Sequence, residues 1–314
     1  MRLVFCGSGE VAAPSLAALH AAGHDIAAVY TQPPRKAGRG GKLRRTPIAE
    51  LAAELGLPAV EAENINRDGH PEAIAGSGAA MVAVVDFGQI ISRKVRQATP
   101  LGSVCMHVSL LPELRGAAPI NWAIIRGLKR TGVTTFQVVR EIDAGPIYLQ
   151  ESLDIGPEET AEELRGRLSA LGGSLLIRTV EGLAAGAMEA REQDHFLATM
   201  APKLEKTDGR LDFTQGAAAI ANRIRGTWPW PGVHADFIHA GGKPVRVILA
   251  RARAHPGSSV TEPGTLSTQL HINTHDGAIE VLELQVAGKR LMGWRDFVNG
   301  YRAAAGDRFV PAAD

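Results

Sequence analysis

A histidine and an aspartate stand where they could handle a proton together. His107 ends the strand-like run Ser103–His107, and Asp143 lies in a turn after the strand-like run Val133–Val139. An imidazole oriented by a carboxylate can act as a general acid or base, or can stabilise a developing oxyanion, as in many acyl transfers. A single histidine and a turn aspartate also serve purely structural roles, so the pair by itself leaves both interpretations open.

A cysteine precedes this histidine on the same strand. Cys105 and His107 are two residues apart, so their side chains share one face, and a cysteine nucleophile with a histidine base is chemically conceivable. The only other cysteine is Cys6. Two cysteines exclude a disulfide scaffold and cannot alone fill a structural zinc site, so we expect no metal.

Residues 7–12 read Gly-Ser-Gly-Glu-Val-Ala between a strand-like and a helix-like run. They fit the G-x-G-x-x-A pattern of dinucleotide-binding turns. That pattern also requires an acidic residue at the end of the second strand to bind ribose hydroxyls, but this strand ends Tyr-Thr-Gln-Pro-Pro at residues 30–34. The sequence therefore favours a tight glycine turn over nicotinamide binding.

Residues 35–45 form a basic segment. Six of these eleven residues are Lys or Arg, four are Gly or Ala, and no acid occurs between Thr31 and Ala49. The pattern predicts a flexible loop at the carboxyl edge of the sheet, where doubly wound folds bind ligands. Such a loop suits phosphate groups, although a solvated charge run is the simpler alternative.

Composition limits the class of protein. The chain has 314 residues, 45% of them hydrophobic, and a formal net charge of +1. This apolar content argues against a disordered chain, and the charge argues against a globally basic nucleic-acid coat. No apolar run reaches the ~18 residues of a membrane span, and Met1–Gly7 resembles a first strand rather than a secretory signal. We expect a cytoplasmic protein without membrane contact.

The first half of the chain alternates short apolar strands with helical patterns. This alternation predicts an α/β fold, a doubly wound and mostly parallel sheet covered on both faces. The predicted elements are strands Leu3–Cys6, Asp25–Tyr30, Ala80–Val85, Ser103–His107 and Ile147–Ile155, and helices Val11–Ala22, Ile48–Leu55 and Ala161–Ala185.

The second half changes character. Residues 190–209 are polar and aperiodic, as in a linker. Strand-like runs separated by glycine turns then predict a small β-rich domain. We therefore expect domains at 1–189 and 210–314, joined by the linker 190–209. The predicted elements of the second domain are helix Ala217–Arg225 and strands Val233–Ile238, Val245–Ala250, Leu270–Asn273 and Ile279–Leu284.

Several motifs together resemble the methionyl-tRNA formyltransferase family, and the resemblance extends through nearly the whole chain. The strongest segments are Thr31-Gln32-Pro33 with Ala37-Gly38-Arg39-Gly40, the run from His107 through Ser109-Leu110-Leu111-Pro112 to Arg115-Gly116-Ala117-Ala118-Pro119-Ile120, Asp143-x-Gly145, and Trp228-Pro229-Trp230-Pro231. The resemblance implies a Rossmann-like formyltransferase domain followed by an OB-like domain that binds tRNA.

The implied reaction transfers a formyl group from 10-formyltetrahydrofolate to the α-amine of initiator methionyl-tRNA. In the family an Asn, a His and an Asp share the catalysis, and the last two correspond to His107 and Asp143. We expect a monomer that needs no metal. The implied folate-binding residues are Ser109, Leu110, Leu111, Pro112, Val85, Phe87 and Gly88, and the implied tRNA-binding residues are Arg35, Arg39, Lys42 and Arg44.

One departure from the family is serious, because its catalytic Asn falls at Cys105. An amide is a firm donor to the oxyanion formed when the amine attacks, whereas a thiol is a weak one. Losing such a donor costs about 100- to 1,000-fold in rate. Smaller departures are Ser8-Gly9-Glu10, and Val108 in place of the usual Gly.

Three interpretations therefore stay open. The chain is a formyltransferase with a weakened or rearranged oxyanion hole, a paralogue acting on another amine such as a nucleotide sugar, or a folate- or tRNA-binding paralogue with little catalysis.

Overall fold

The chain forms two compact units in a computed structural model that describes residues 1–37, 41–239, 242–257 and 262–312. Each unit combines separate segments, whereas the predicted domains were consecutive. None of the described helices is long and apolar enough to cross a membrane. Unit 1 comprises Met1–Gly116, Thr131–Leu153 and Arg165–Met200, and unit 2 comprises Ala117–Arg130, Asp154–Leu164 and Ala201–Asp314.

Strands and helices alternate through the first half, as predicted. The start of the helix Pro47–Glu54 follows from its local sequence. Thr46 accepts a hydrogen bond from the Ala49 amide (3.0 Å) and so caps the helix, and Pro47 occupies its first turn. Up to residue 154 the elements are β1 Arg2–Gly7, α1 Ala12–Ala21, β2 Asp25–Thr31, β3 Arg35–Ala37, β4 Lys42–Arg44, α2 Pro47–Glu54, β5 Ala59–Glu61, α3 His70–Gly76, β6 Met81–Val85, α4 Arg93–Arg96, β7 Ser103–His107, β8 Arg115–Gly116, α5 Pro119–Ile125, β9 Arg130–Gln137 and β10 Ile147–Asp154.

The rest of the chain begins with a 24-residue helix and then runs mainly through strands. Two short 3₁₀ turns, His195–Leu197 and Lys206–Gly209, interrupt the segment that was predicted as a linker. The remaining elements are α6 Ala161–Ala184, β11 Met200–Ala201, α7 Ala217–Thr227, β12 Val233–Ile238, β13 Val245–Pro256, β14 Ile272–Thr274, β15 Gly277–Val286, β16 Leu291–Gly293, α8 Trp294–Tyr301 and β17 Arg308–Pro311.

Unit 1 contains a seven-stranded sheet in the order β10-β9-β7-β6-β1-β2-β5. The pairs among β5, β2, β1, β6 and β7 are parallel, and β7 pairs with β9 in antiparallel orientation. Every residue of the central strand β6 is buried. The strand order reverses between β1 and β6, which confirms the predicted doubly wound sheet and places a ligand-binding crevice at that edge.

Unit 2 contains a six-stranded antiparallel sheet along the path β14-β15-β13-β12-β17, with β16 added to β15. Single bridges from Thr265 to Arg308 and from Leu266 to Ile272 bring the two ends of this path close to closure. The interior contains Phe237, Phe297 and Phe309 among many aliphatic side chains. The predicted β-rich domain is therefore confirmed, as an antiparallel near-barrel.

Strand β13 is longer than predicted. The sequence indicated Val245–Ala250, but the strand continues to Pro256. The added part alternates Arg251, Arg253 and His255, whose polar side chains resemble those of a loop. These side chains pair with acids and so let the strand continue.

Candidate active site

The predicted His107 and Asp143 side chains lie together at the carboxyl end of β7. His107 is 8% exposed, and its Nδ1 lies 3.7 Å from Oδ2 of Asp143. Its Nε2 lies 3.0 Å from the Leu114 carbonyl oxygen, which can only accept, so Nε2 carries a hydrogen. This leaves Nδ1, facing the carboxylate, as the nitrogen able to take up or release a proton.

Asp143 is held by its own backbone and by the segment opposite. Its φ of 53° lies in the left-handed region, which Asp tolerates better than most residues. Its Oδ2 accepts a hydrogen bond from the Gly116 amide (2.8 Å). Two residues on, a side chain at Gly145 would collide with the Gln137 carbonyl oxygen. The Asp143-x-Gly145 motif therefore encodes one specific turn beside the histidine.

Gln193 holds this turn by hydrogen bonds, and the sequence did not predict that role. It is 5% exposed, and its Nε2 donates to the carbonyl oxygens of Asp143 (2.9 Å) and Gly145 (2.7 Å). It lies in the segment 190–209, which was predicted as a linker from its polar composition. A lone glutamine among exposed polar residues gives no sequence signal, because only the fold brings it to the turn.

Arg115 completes this support. It is buried and donates from Nη2 to Oε1 of Gln193 (2.6 Å) and to Nδ1 of His195 (2.9 Å). Because a guanidinium can only donate, Nδ1 of His195 must accept here. Burial lowers the pKa of Arg115, and Asp143 offsets part of that effect. Arg115 and Gln193 thus connect β8 to the Asp143 turn.

Cys105 occupies a partly buried position on β7, paired with Val84 of β6. Its Sγ makes only a long contact (3.7 Å) with the Met106 carbonyl oxygen. Burial, followed by Asp143 and Asp86, raises the pKa of Cys105 well above its usual value. The thiol therefore stays protonated near neutral pH, which argues against the cysteine-nucleophile interpretation.

The four predicted folate-binding residues after β7 are only partly accessible. Ser109 is fully buried and donates to the Glu113 carbonyl oxygen (2.6 Å), and Leu111 is buried in a small core with Phe136 and Ile147. Leu110 and Pro112 are half-buried. A ligand at this segment would therefore meet its backbone and the exposed parts of Leu110 and Pro112.

The predicted folate-binding residues after β6 behave similarly. The side chains of Val85 and Phe87 are buried, whereas Gly88 is exposed. The Phe87 carbonyl oxygen accepts from Nε2 of Gln32 (2.9 Å), which links the Thr-Gln-Pro motif to this loop. A side chain at Gly88 would press on that same amide. The loop thus presents backbone rather than side chains at the crevice.

The glycine turn after β1 wraps around Asp86. The amides of Ser8 and Gly9 donate to the Asp86 carbonyl oxygen (3.0 and 3.1 Å), and a side chain at Gly9 would collide with the Asp86 carboxylate. Protein atoms packed around the Asp86 carboxylate desolvate it and raise its pKa to about 6, although the residue keeps exposed surface, and a hydrogen bond from the Val11 amide opposes that rise. A carboxylate stands where a dinucleotide phosphate would approach, which supports the tight-turn interpretation over nicotinamide binding.

Part of the basic segment forms a hairpin. Strands β3 and β4 pair Arg35 with Arg44, and Lys36 with Leu43. The described cations of this hairpin are exposed, and none of them pairs with an acid of the described chain. Residues 38–40, which include the predicted Arg39, lie outside the described residues. The hairpin concentrates unpaired positive charge, as a phosphate-binding element would.

One group of possible metal ligands occurs among the described residues, in unit 2. It consists of His255, His271 and Glu280. The imidazole rings stack 4.7 Å apart at 15°, and Glu280 accepts hydrogen bonds from His255 (2.9 Å) and Arg253 (2.8 Å). The candidate ligand atoms of the three residues lie within 4.8 Å of one another, but the Glu280 carboxylate is already engaged by these two hydrogen bonds. The group is therefore arranged as a hydrogen-bonded cluster.

Two family profiles match the chain, "Formyl transferase" over residues 1–180 and "Formyl transferase, C-terminal domain" over residues 203–302. The methionyl-tRNA formyltransferases of Solibacter usitatus and Koribacter versatilis are each 41% identical, with 98% of both chains covered.

A solved structure shares the fold at lower identity. It is an N-formyltransferase from Helicobacter canadensis in complex with folinic acid and dTDP-3-aminofucose, with a TM-score of 0.62, 15% identity, and 92% and 99% of the two chains covered. The buried His107–Asp143 pair therefore occurs in a chain that belongs to the methionyl-tRNA formyltransferase family.

Proposed function

We propose that this protein transfers a formyl group from 10-formyltetrahydrofolate to the α-amine of initiator methionyl-tRNA. The observation that carries the proposal is the buried His107–Asp143 pair at the carboxyl edge of the sheet. It supplies an acid–base group where a doubly wound fold binds its ligand. The 41% identity to methionyl-tRNA formyltransferases over 98% of the chain supports the choice of acceptor.

In this reaction the amine attacks the formyl carbon, and a C–N bond forms while negative charge develops on the formyl oxygen. Nδ1 of His107 takes part in the proton transfer from the amine, and Asp143 stabilises the resulting imidazolium. When the intermediate collapses, the C–N bond to the folate breaks and tetrahydrofolate leaves with a proton. Gln193 and Arg115 keep the Asp143 turn in register with the histidine.

Binding is divided between two parts of the chain. The backbone of residues 85–88 and 109–112 would line the folate site, and the basic hairpin with Arg35, Lys42 and Arg44 would contact tRNA phosphates. The C-terminal domain at 210–314 would supply a second tRNA surface, since near-barrels are common nucleic-acid platforms. We propose that the protein acts as a monomer.

A second candidate rests on Cys105. Its thiol is a weak donor at the position of the family's catalytic Asn, so a folate- or tRNA-binding protein with little catalysis is the alternative function. Single-turnover assays with 10-formyltetrahydrofolate and charged initiator tRNA decide between them, with His107→Ala as the inactive control. Tight tRNA binding without formyl transfer would favour the alternative.

A further inference from the structure

Four exposed apolar side chains belong to the Asp143 turn or to the segment that is hydrogen-bonded to it. Ile142 is 61% exposed and immediately precedes Asp143, and Phe196 in the 3₁₀ turn is 101% exposed. Leu197 (61%) and Met200 (56%) lie on the same segment. We call these four side chains the apolar ledge.

Hydrogen bonds connect the segment that carries Phe196 to the Asp143 turn and to β8, both before and after Phe196. Before it, Gln193 bonds the carbonyl oxygens of Asp143 and Gly145, and His195 accepts from Arg115. After it, Thr199 accepts from the amides of Arg115 (2.8 Å) and Leu114 (2.9 Å). Since the next amide, that of Gly116, donates to Asp143, the ledge and the catalytic carboxylate share one framework.

The Phe196 ring itself is left open. Its amide donates to Oδ1 of Asp194 (3.1 Å), which caps the 3₁₀ turn. The backbone is therefore held while the ring is fully exposed to solvent. An aromatic ring on a fixed backbone is the surface on which single-stranded nucleic-acid bases stack.

We propose that Phe196 is the stacking platform for the terminal adenine of the aminoacyl-tRNA acceptor. The inference rests on the proposed function, in which the reacting amine is joined to the terminal ribose through the aminoacyl ester. A base on that ribose must therefore lie close to the His107–Asp143 pair, where the ledge is. Four side chains are far fewer than the ~20 residues per side of a stable protein interface, but they suffice for one base.

The test compares Phe196→Ala with Phe196→Tyr, which keeps a stacking ring. Stacking on one base predicts a rise of about 5- to 50-fold in KM for charged tRNA in the alanine variant. Its kcat and its KM for 10-formyltetrahydrofolate should stay near those of the parent, and Phe196→Tyr should restore the tRNA KM.

A second readout does not need formyl transfer. In uncharged tRNA carrying 2-aminopurine as its terminal base, binding to the parent should quench the fluorescence, and binding to Phe196→Ala should not. Equal quenching by both proteins, or an unchanged tRNA KM in Phe196→Ala, would overturn the inference. If Phe196→Ala raises the KM for charged tRNA but quenches as the parent does, the ledge contacts the methionyl side chain and not the terminal base. That result would also overturn the inference. If the parent binds and quenches but never transfers a formyl group, the proposed function fails and the inference stands.

Discussion

Strand β13 of unit 2 and the basic hairpin of unit 1 both carry arginines, but the arginines of β13 pair with carboxylates and those of the hairpin do not. On β13, Arg251 donates to Glu163 and Glu283 (both 2.7 Å), and Arg253 pairs with Glu158 and with Glu280 (2.8 Å). We call these residues the ion-pair row. Here each guanidinium has two carboxylate partners within the same unit.

The basic hairpin has no such partners. Arg35 lies directly across from Arg44, and like charges in that position repel. The catalytic pair is similarly incomplete, since 3.7 Å separates Nδ1 of His107 from the Asp143 carboxylate. Satisfied charges stabilise a fold, whereas charges left without partners remain available to a substrate. We therefore expect the functional sites of this chain where charges lack close partners, and not simply where cations are most numerous.

The largest effect should come from the catalytic pair. We expect His107→Ala to lower the single-turnover formyl-transfer rate by about 100- to 10,000-fold, because it removes the acid–base group. Asp143→Asn should lower the rate strongly too, since an amide cannot stabilise the imidazolium. Both variants should bind folate and melt like the parent. Rates close to the parent in either variant would remove the pair from the mechanism.

The next effect concerns Cys105, a poorly partnered group at the same edge. Replacing it with Asn should supply a donor to the oxyanion and raise the transfer rate by about 10- to 1,000-fold, with folate affinity almost unchanged. If Val108 crowds the new amide, adding Val108→Gly should raise the rate further. Both rates come from single-turnover assays at saturating folate.

Cys105→Ala is the matched control, because it removes the thiol without adding a donor. It should keep the parent rate if the thiol makes no contribution. A Cys105→Asn enzyme slower than the parent would mean that the thiol has a function of its own.

The basic hairpin should affect the affinity for tRNA and not the formyl-transfer step. Changing Arg35, Lys42 and Arg44 to Ala should weaken tRNA binding and flatten its salt dependence, by about one unit of slope for each lost phosphate contact. Folate affinity should not change. The measurement is tRNA affinity across a salt series, with Arg93→Ala/Lys94→Ala on α4 as a control that removes two cations from another element. An unchanged slope in the triple variant would show that these cations face solvent and do not contact tRNA phosphates.

Much of the fold could be predicted from the sequence because the informative signals are local. Short apolar runs between helical patterns predicted the parallel sheet, and the strand Ser103–His107 has the predicted bounds. The motifs that contain His107 and Asp143 predicted both as site residues. The structure brings them together because β7 and the turn after β9 meet at one edge of the sheet.

The remaining features depend on contacts between distant residues. Gln193 reaches the Asp143 turn from about 50 residues away in sequence, and no local pattern distinguishes it from its exposed neighbours. The reason for Gly9 appears only once Asp86, directly after β6, fills the space beside it. The extension of β13 to Pro256 likewise requires acids from elsewhere in unit 2.

The smallest effect should come from the ion-pair row, where breaking one pair should change stability and leave transfer unaffected. Arg251 and the Thr160 amide lower the pKa of Glu163 to about 2. A carboxylate with a depressed pKa stabilises the fold above its unfolded pKa of about 4.3, and that contribution is lost as the pH falls towards 2. Glu163→Gln keeps an acceptor for Thr160 but removes the charge.

We expect this variant to lose about 1 kcal/mol of unfolding free energy at pH 7, because the pair is partly exposed to solvent. The difference from the parent should shrink steadily between pH 5 and pH 2, as measured by urea unfolding at each pH. Glu283→Gln, which removes the other acid on Arg251, should also lower the unfolding free energy at pH 7. A difference that stays constant with pH would show that the charge of Glu163 contributes nothing, and a fall in transfer rate would show that the row is not separate from function.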